Sequence, residues 1–174
     1  MPLDKAVHDR KGFDCGNDAK NQYLKTLALQ HARRGLSRTF GLADDSNPGE
    51  ILGFYSISAA HVRVQALPNA LASRLPRFPI PAARVGQLAV QKALHGKGYG
   101  GLLLQDAVRR TLAVRESMGV YLMLVDADSE QAAGFCRHFG FEDCNLEGRT
   151  LFLGLGKGLT GAESELPPIM ESPT

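Results

Sequence analysis

The stretch Val85-Gly86-Gln87-Leu88-Ala89-Val90-Gln91-Lys92-Ala93-Leu94-His95-Gly96-Lys97-Gly98-Tyr99-Gly100-Gly101-Leu102-Leu103-Leu104 passes from an apolar strand, through a glycine-rich turn, directly into a helical pattern. Gly96, Gly98 and Gly100 remove Cβ atoms where the chain bends sharply, so successive amides and the positive end of the helix can converge on one point. That arrangement suits a diphosphate.

Spacing decides which diphosphate ligand such a turn can serve. A Walker loop needs Gly-Lys-Ser/Thr, and Lys97 is followed by Gly98 with no hydroxyl behind it. A dinucleotide fold needs G-x-G-x-x-G in an opening βαβ unit; Gly98-Tyr99-Gly100-Gly101 lacks the last glycine at that step, and the turn falls in mid-chain. What remains is x-x-Gly98-x-Gly100 behind a polar residue, to be weighed against a plain tight turn that starts a helix.

Working outward, the chain alternates strands and helices. Ala19, Tyr23, Leu27 and Ala28 recur at helical spacing between Asp18 and Arg34, with Asp18 as cap and Gly35 as stop. Leu36 to Ala43 and Ile51 to Ala60 are β-prone runs around the loop Asp44 to Gly49, which reads as a loose hairpin. Prolines at 68, 76, 79 and 81 oppose a long regular element over Leu67 to Pro81, leaving a short helix and an extended connection. After the turn, Leu104, Ala107, Val108 and Leu112 form one helical face running to about Met118, and Gly119 ends it. Val120 to Val125 is a continuous apolar run, as in a strand covered on both faces. A helix from Ser129 to Phe139 carries Ala132, Phe135, Cys136 and Phe139 inward, and Phe141 to Cys144 and Arg149 to Leu155 close the pattern as strands.

At 174 residues the chain suits one domain, here 1–159, followed by a disordered tail over 160–174 rich in Glu, Pro and Ser. No run approaches the ~20 apolar residues that span a bilayer, and the start Met-Pro-Leu-Asp-Lys-Ala has no signal-peptide core, which implies a cytoplasmic protein without a membrane role. Cys15, Cys136 and Cys144 are odd in number and show no C-x-x-C pair, so neither a disulfide framework nor a metal site follows. A net charge of +2 does not by itself imply nucleic-acid binding; the arginine positions must carry that argument.

His95-Gly96-Lys97-Gly98-Tyr99-Gly100 resembles the coenzyme A pyrophosphate loop of the GNAT N-acetyltransferases, usually Q/R-x-x-G-x-G/A. More narrowly, Phe13-Asp14-Cys15-Gly16, Gly35-Leu36-Ser37-Arg38-Thr39-Phe40, Gly53-Phe54-Tyr55-Ser56-Ile57-Ser58, Pro79-Ile80-Pro81, Gly86 to Val90, Val125-Asp126-Ala127 and Phe139-Gly140-Phe141 together resemble the GNAT toxins of toxin–antitoxin pairs. The resemblance implies an α/β (α+β) GNAT fold with a mixed central sheet of about six to seven strands and flanking helices. It implies acetyl transfer from acetyl-CoA to the α-amino group of an aminoacyl-tRNA, which blocks translation. It also implies a ribbon-helix-helix antitoxin and a homodimer.

Residue roles follow within that frame. The amides of His95, Gly96, Lys97, Gly98, Tyr99, Gly100 and Gly101 would hold the pyrophosphate, with Lys97 adding charge and His95 standing where the family has Gln or Arg. Leu88, Ala89 and Val90 match the strand that pairs with the pantetheine arm, whose two amides act like an added strand. Cys136 occupies the position of the family's tyrosine acid; it is a thiol acid, a buried core residue with water as the acid, or the mark of a crippled or engineered site. Asp126 could orient the amine or cap the following helix. Arg33, Arg34 and Arg38, with Arg74, Arg77 and Arg84, either meet RNA phosphates or are solvated surface charges, and Phe78 and Tyr55 are base-stacking residues or belong to a core or a pocket wall. Two further readings remain open: a GNAT enzyme for a small amine or protein N-terminus, and a catalytically silent acyl-CoA-binding module.

Overall fold

The computed structural model describes residues 1–146 and 148–155; the tail expected over 160–174 lies outside them. One six-stranded sheet has the order β1-β2-β3-β4-β6-β5, with β1 at Arg38–Leu42, β2 at Gly53–Val62, β3 at Ile80–Val90, β4 at Leu122–Asp126, β5 at Glu142–Asp143 and β6 at Thr150–Gly154. β1 pairs antiparallel with β2, and β6 antiparallel with both β4 and β5. Between β3 and β4, neighbours in that order, the chain runs through helix α4 (Tyr99–Val114), a crossover of the kind parallel neighbours require. The mixed α/β sheet expected from the sequence is therefore present.

The chain divides into two compact units. The first comprises Met1–Ser58 and Val85–Ala107. Its core gathers Phe13, Cys15, Tyr23, Leu24, Ala28, Ile51, Phe54 and Ala89, with the rings of Phe13 and Phe54 edge to face at 5.3 Å. Residues Met1 to Leu3 run along the outer side of β1, where Leu3 N–H donates to Thr39 O and Gly41 N–H to Met1 O, so that strand is not left bare.

The helix expected over Asp18 to Arg34 is interrupted. Helix α1 (Asp18–Gln22) passes through a π-helical turn at Tyr23–Leu27 into α2 (Ala28–Arg33). Ala28 N–H reaches Tyr23 O, and the guanidinium of Arg10 donates to Lys25 O at 3.0 Å. The wide turn adds a residue, so Leu24 and Ala28 point into the core while Leu27, expected inside, is 39% exposed; Ala19 is exposed too. Asn17, not Asp18, caps the start, accepting from Lys20 N.

The second unit comprises Ala59–Arg84 and the chain from Val108 onward. Val62, Leu67, Leu71, Ile80, Leu122, Leu124 and Phe152 form its core, around the short helix α3 (Asn69–Ala72). Leu122 to Val125 are buried in succession, as expected for a strand covered on both faces. Helix α5 (Glu130–His138) is capped by Ser129, whose Oγ accepts from Ala132 N, and buries Ala133 and Cys136; Ala132, Phe135 and Phe139 are only half-buried. Helix α4 ends at Val114 rather than near Met118, and its inward face turns through Leu104, Ala107, Val108 and Thr111, leaving Leu112 39% exposed.

β3 starts at Ile80, although its prolines argued for an irregular connection. Pro81 lacks a donor but its carbonyl still accepts from Tyr121 N–H at 2.9 Å. Buried positions shift phase along this strand, from Ile80 and Ala82 to Val85 and Ala89, and Gln87 N–H donates to Ser56 Oγ at 3.0 Å.

Candidate functional site

The site begins at the end of β3. A Cβ built on Gly53 would come within 2.9 Å of Ala89 O, so the Ala89 carbonyl faces β2. By strand alternation Leu88 and Val90 turn their carbonyls the other way. Both are held by side chains: Lys20 Nζ donates to Leu88 O at 2.9 Å, and His95 Nε2 lies 2.9 Å from Val90 O. The His95 ring therefore faces the strand, leaving Lys97 as the exposed cation of the turn.

From Val90 the chain takes one 3-10 turn at Lys92–Leu94, then passes Gly96 at φ 78° and Gly98 at φ 86° before α4 begins. Both glycines occupy the left-handed region, and the space beside each is open, so the backbone conformation alone selects glycine there. Leu102 N–H is the first amide of the helix to find a partner, Gly98 O. Among the described residues no hydrogen bond to the chain engages the amides of Gly96, Lys97, Gly98, Tyr99, Gly100 or Gly101. A row of free donors at the positive end of a 16-residue helix is an anion cradle.

The Phe13-to-Gly16 segment grips the entrance of that turn. Asp14 O accepts from Lys92 N at 2.9 Å, Asp14 N donates to Gln91 Oε1, and Gln91 Nε2 donates to Ile51 O. Lys92 Nζ sits 2.8 Å from Asp14 Oδ2, and Asp14 Oδ1 accepts from Gly16 N and Asn21 Nδ2. Lys92 first, then the Gly16 amide and Asn21, hold the Asp14 carboxyl well below the usual carboxylate range, and Asp14 in turn raises Lys92. Asp14, Lys20, Gln91 and Lys92 were not identified as site residues from the sequence. Their partners lie far away in sequence, 77 positions for Asp14 and Gln91, and the only local signal was the polar pair Gln91-Lys92 closing an apolar strand.

Tyr55, a candidate stacking residue, is 0% exposed with its hydroxyl on Asp106 Oδ2 at 2.6 Å, so it supports α4 from the core. Arg33, Arg34 and Arg38 are exposed around Gly35 and make no ion pair among the described residues.

In the second unit Cys136 is 5% exposed on α5. The following Arg137 locks that helix in place, donating from Nε and Nη2 to the Asp143 carboxylate and from Nη1 to Glu130 Oε1. Asp126, at the end of β4, lies 3.4 Å from Arg84 Nε and accepts from Thr150 Oγ1 at 3.1 Å. Arg84 is thus drawn out of the expected basic cluster into an ion pair, while Arg74 and Arg77 are exposed and make none among the described residues. Burial, then the Asp126 and Asp143 charges, push the Cys144 thiol up to about 11.

The sequence matches the family model described as an acetyltransferase (GNAT) domain over residues 36–143. A protein of Mycobacterium tuberculosis (strain ATCC 25618 / H37Rv) named tRNA-acetylating toxin is 32% identical over 134 residues, 77% of this chain and 78% of the relative. Among solved structures, AtaT complexed with acetyl-methionyl-tRNAfMet aligns with a TM-score of 0.82 at 27% identity, covering 88% of this chain and 92% of AtaT. AtaTR bound with AcCoA aligns with a TM-score of 0.77 at 27% identity, covering 95% of this chain and 94% of that one.

Proposed function

Because this chain belongs to the GNAT acetyltransferase family, we propose that it moves the acetyl group of acetyl-coenzyme A onto the α-amino group of an aminoacyl-tRNA, as a toxin that blocks translation. The observation that carries the reading is the row of free amides from Gly96 to Gly101 at the start of α4. The residues fit the cofactor: donors and Lys97 for its diphosphate, and the Leu88 and Val90 carbonyls for the two amide N–H groups of its arm. Lys20 and His95 occupy those carbonyls and exchange with the arm.

Bound acetyl-coenzyme A supplies a thioester carbonyl carbon; as the amine nitrogen bonds to it, the carbon–sulfur bond breaks and a thiolate departs. The chain's tasks are to hold the carbonyl near the amine, to orient that amine and to return a proton to sulfur. The α-amine of an aminoacyl ester needs no dedicated base, since α-amino groups already titrate near ~7.7–8.0. Asp126 orients it, with Arg84 and Thr150 fixing the carboxylate. Cys136 Sγ donates the proton to sulfur, and water takes up the proton the amine nitrogen sheds on becoming an amide and returns one to Cys136. Arg33, Arg34, Arg38, Arg74 and Arg77 meet RNA phosphates. A ribbon-helix-helix antitoxin and a homodimer complete the assembly, in keeping with the toxin-like motifs. A tRNA substrate goes with the cytoplasm, and no helix among the described residues is long and apolar enough to cross a membrane.

Charged tRNA incubated with labelled acetyl-coenzyme A and the folded chain is expected to gain label on the aminoacyl group. Label on small amines or protein N-termini with none on tRNA overturns the reading.

A further inference from the structure

The second unit carries a groove of about 350 Å³ whose purpose the acetyl-transfer site does not use. Its walls are Leu75, Pro76, Phe78, Pro81, Met118 and Tyr121, and the guanidinium of Arg115, tied to Leu155 O, lines it as well. Phe78 is 63% exposed and Met118 53%, unusual for large apolar side chains on a face that also presents charge. The segment Arg74-Leu75-Pro76-Arg77-Phe78 alternates cations with this apolar wall, and both arginines are exposed without an ion pair among the described residues. No residue lining the groove is acidic. A second groove, in the other unit, is lined by Asp9, Asn47 and Glu50 and has the opposite character.

We propose that the Phe78 groove is a stacking site for one unpaired nucleobase of the RNA acceptor, with Phe78 as its platform and Arg74 and Arg77 on the adjoining phosphates. The inference rests on the aminoacyl-tRNA reading above and adds a subsite to it. A base has the flat apolar face that an exposed phenyl ring and prolines accept, and a strand delivers a phosphate beside each base. A symmetric contact with a second copy centred on this groove is disfavoured, because a two-fold axis passing through it would bring Arg74 and Arg77 of both copies together. Tyr121, which donates its N–H to Pro81 O in this wall, immediately precedes β4, and Asp126 ends it. At ~3.3 Å per strand residue the two are about 17 Å apart, a gap that a polynucleotide end can span and a free amino acid cannot.

The test uses the full chain and an aminoacyl-acceptor RNA with 2-aminopurine placed in turn at each unpaired position of its end. The protein contains no tryptophan, so the base analogue is the dominant emitter. One position is expected to be quenched on binding by the unaltered protein. Phe78→Ala should abolish that quenching and weaken binding about 5- to 160-fold, the range for one base–aromatic stack, while Phe78→Tyr keeps both. Arg74→Gln and Arg77→Gln should each flatten the salt dependence by about 0.7 in slope and leave the quenching in place. With thermal unfolding unchanged, Phe78→Ala should raise KM for aminoacyl-tRNA and spare turnover of a short aminoacyl ester. If Phe78→Ala leaves quenching and KM intact, or converts a dimer to a monomer with unaltered RNA affinity, the subsite is overturned while the tRNA reading stands. If the unaltered protein acetylates small amines but no aminoacyl-tRNA, the tRNA reading itself has failed.

Discussion

Cys136 bears a thiol on the buried side of α5, and what it does depends on reach and on proton affinity. A thiol with a reference pKa of ~8.5 holds its proton less firmly than a phenol at ~10, so it can return one to a leaving thiolate of similar basicity. The other cysteine of this unit outside α5 is no substitute: burial and its acidic neighbours keep Cys144 protonated to about 11. Replacing Cys136 by Ala is expected to lower kcat by about 10², the lower bound for a lost general acid, and to leave acetyl-coenzyme A affinity from calorimetry unchanged. Cys136→Tyr should restore or exceed the original turnover. An unchanged kcat in Cys136→Ala would make water the donor and Cys136 a small core residue.

At the scale of elements, one polar clasp joins the Phe13-to-Gly16 segment to the exit of β3. Asp14 contributes its carboxylate to Lys92, Gly16 and Asn21, which lowers its proton affinity in the folded state. A depressed carboxyl stabilises the fold at pH values above its unfolded pKa of ~3.9, and the contribution fades as the pH falls from there toward the folded value. Asp14 and Lys92 side chains are 46% and 64% exposed, so water and salt screen the pair. Thermal unfolding of Asp14→Asn should therefore begin at a lower midpoint at neutral pH, lose part of the acid-limb slope below about pH 4, and differ less from the original in high salt. Coincident curves for the two proteins across that range would show that the clasp adds no stability.

What the sequence made legible at this scale is what local stereochemistry dictates. The glycine turn could be read because left-handed backbone at Gly96 and Gly98 excludes other residues. β4 could be read because an unbroken apolar run has few other uses. The π-helical turn could not, since an added residue in a helix leaves no mark on composition, and it moved Leu27 to the surface and Leu24 inside. The start of β3 was hidden by Pro79 and Pro81, whose missing donors the strand tolerates at that end. The ties from Lys20 and Asp14 join residues 68 and 77 apart, a separation at which spacing carries no signal.

Across the whole molecule the net charge is only +2, so any attraction for RNA is a matter of where charge is left uncompensated. Arg84 is neutralised by Asp126 and Arg137 by Glu130 and Asp143, whereas Arg33, Arg34 and Arg38, close together in the chain, make no ion pair among the described residues. Changing these three to Gln should raise KM for every aminoacyl-tRNA to a similar degree and reduce the salt slope of binding by about 2, with kcat on a short aminoacyl ester unaffected. An unaltered salt slope would make them ordinary solvated charges.

Lys20 and His95 give the last strand residues of β3 a further property. Main-chain acceptors that no neighbouring strand uses invite pairing with a stray chain, a route to aggregation. With an ammonium on Leu88 O and an imidazole on Val90 O, this edge offers newcomers no vacant rung at those residues. On the proposed cofactor placement the same two side chains also yield to the coenzyme's arm, so one pair of contacts both guards this edge from becoming an adhesive one and marks where the ligand enters.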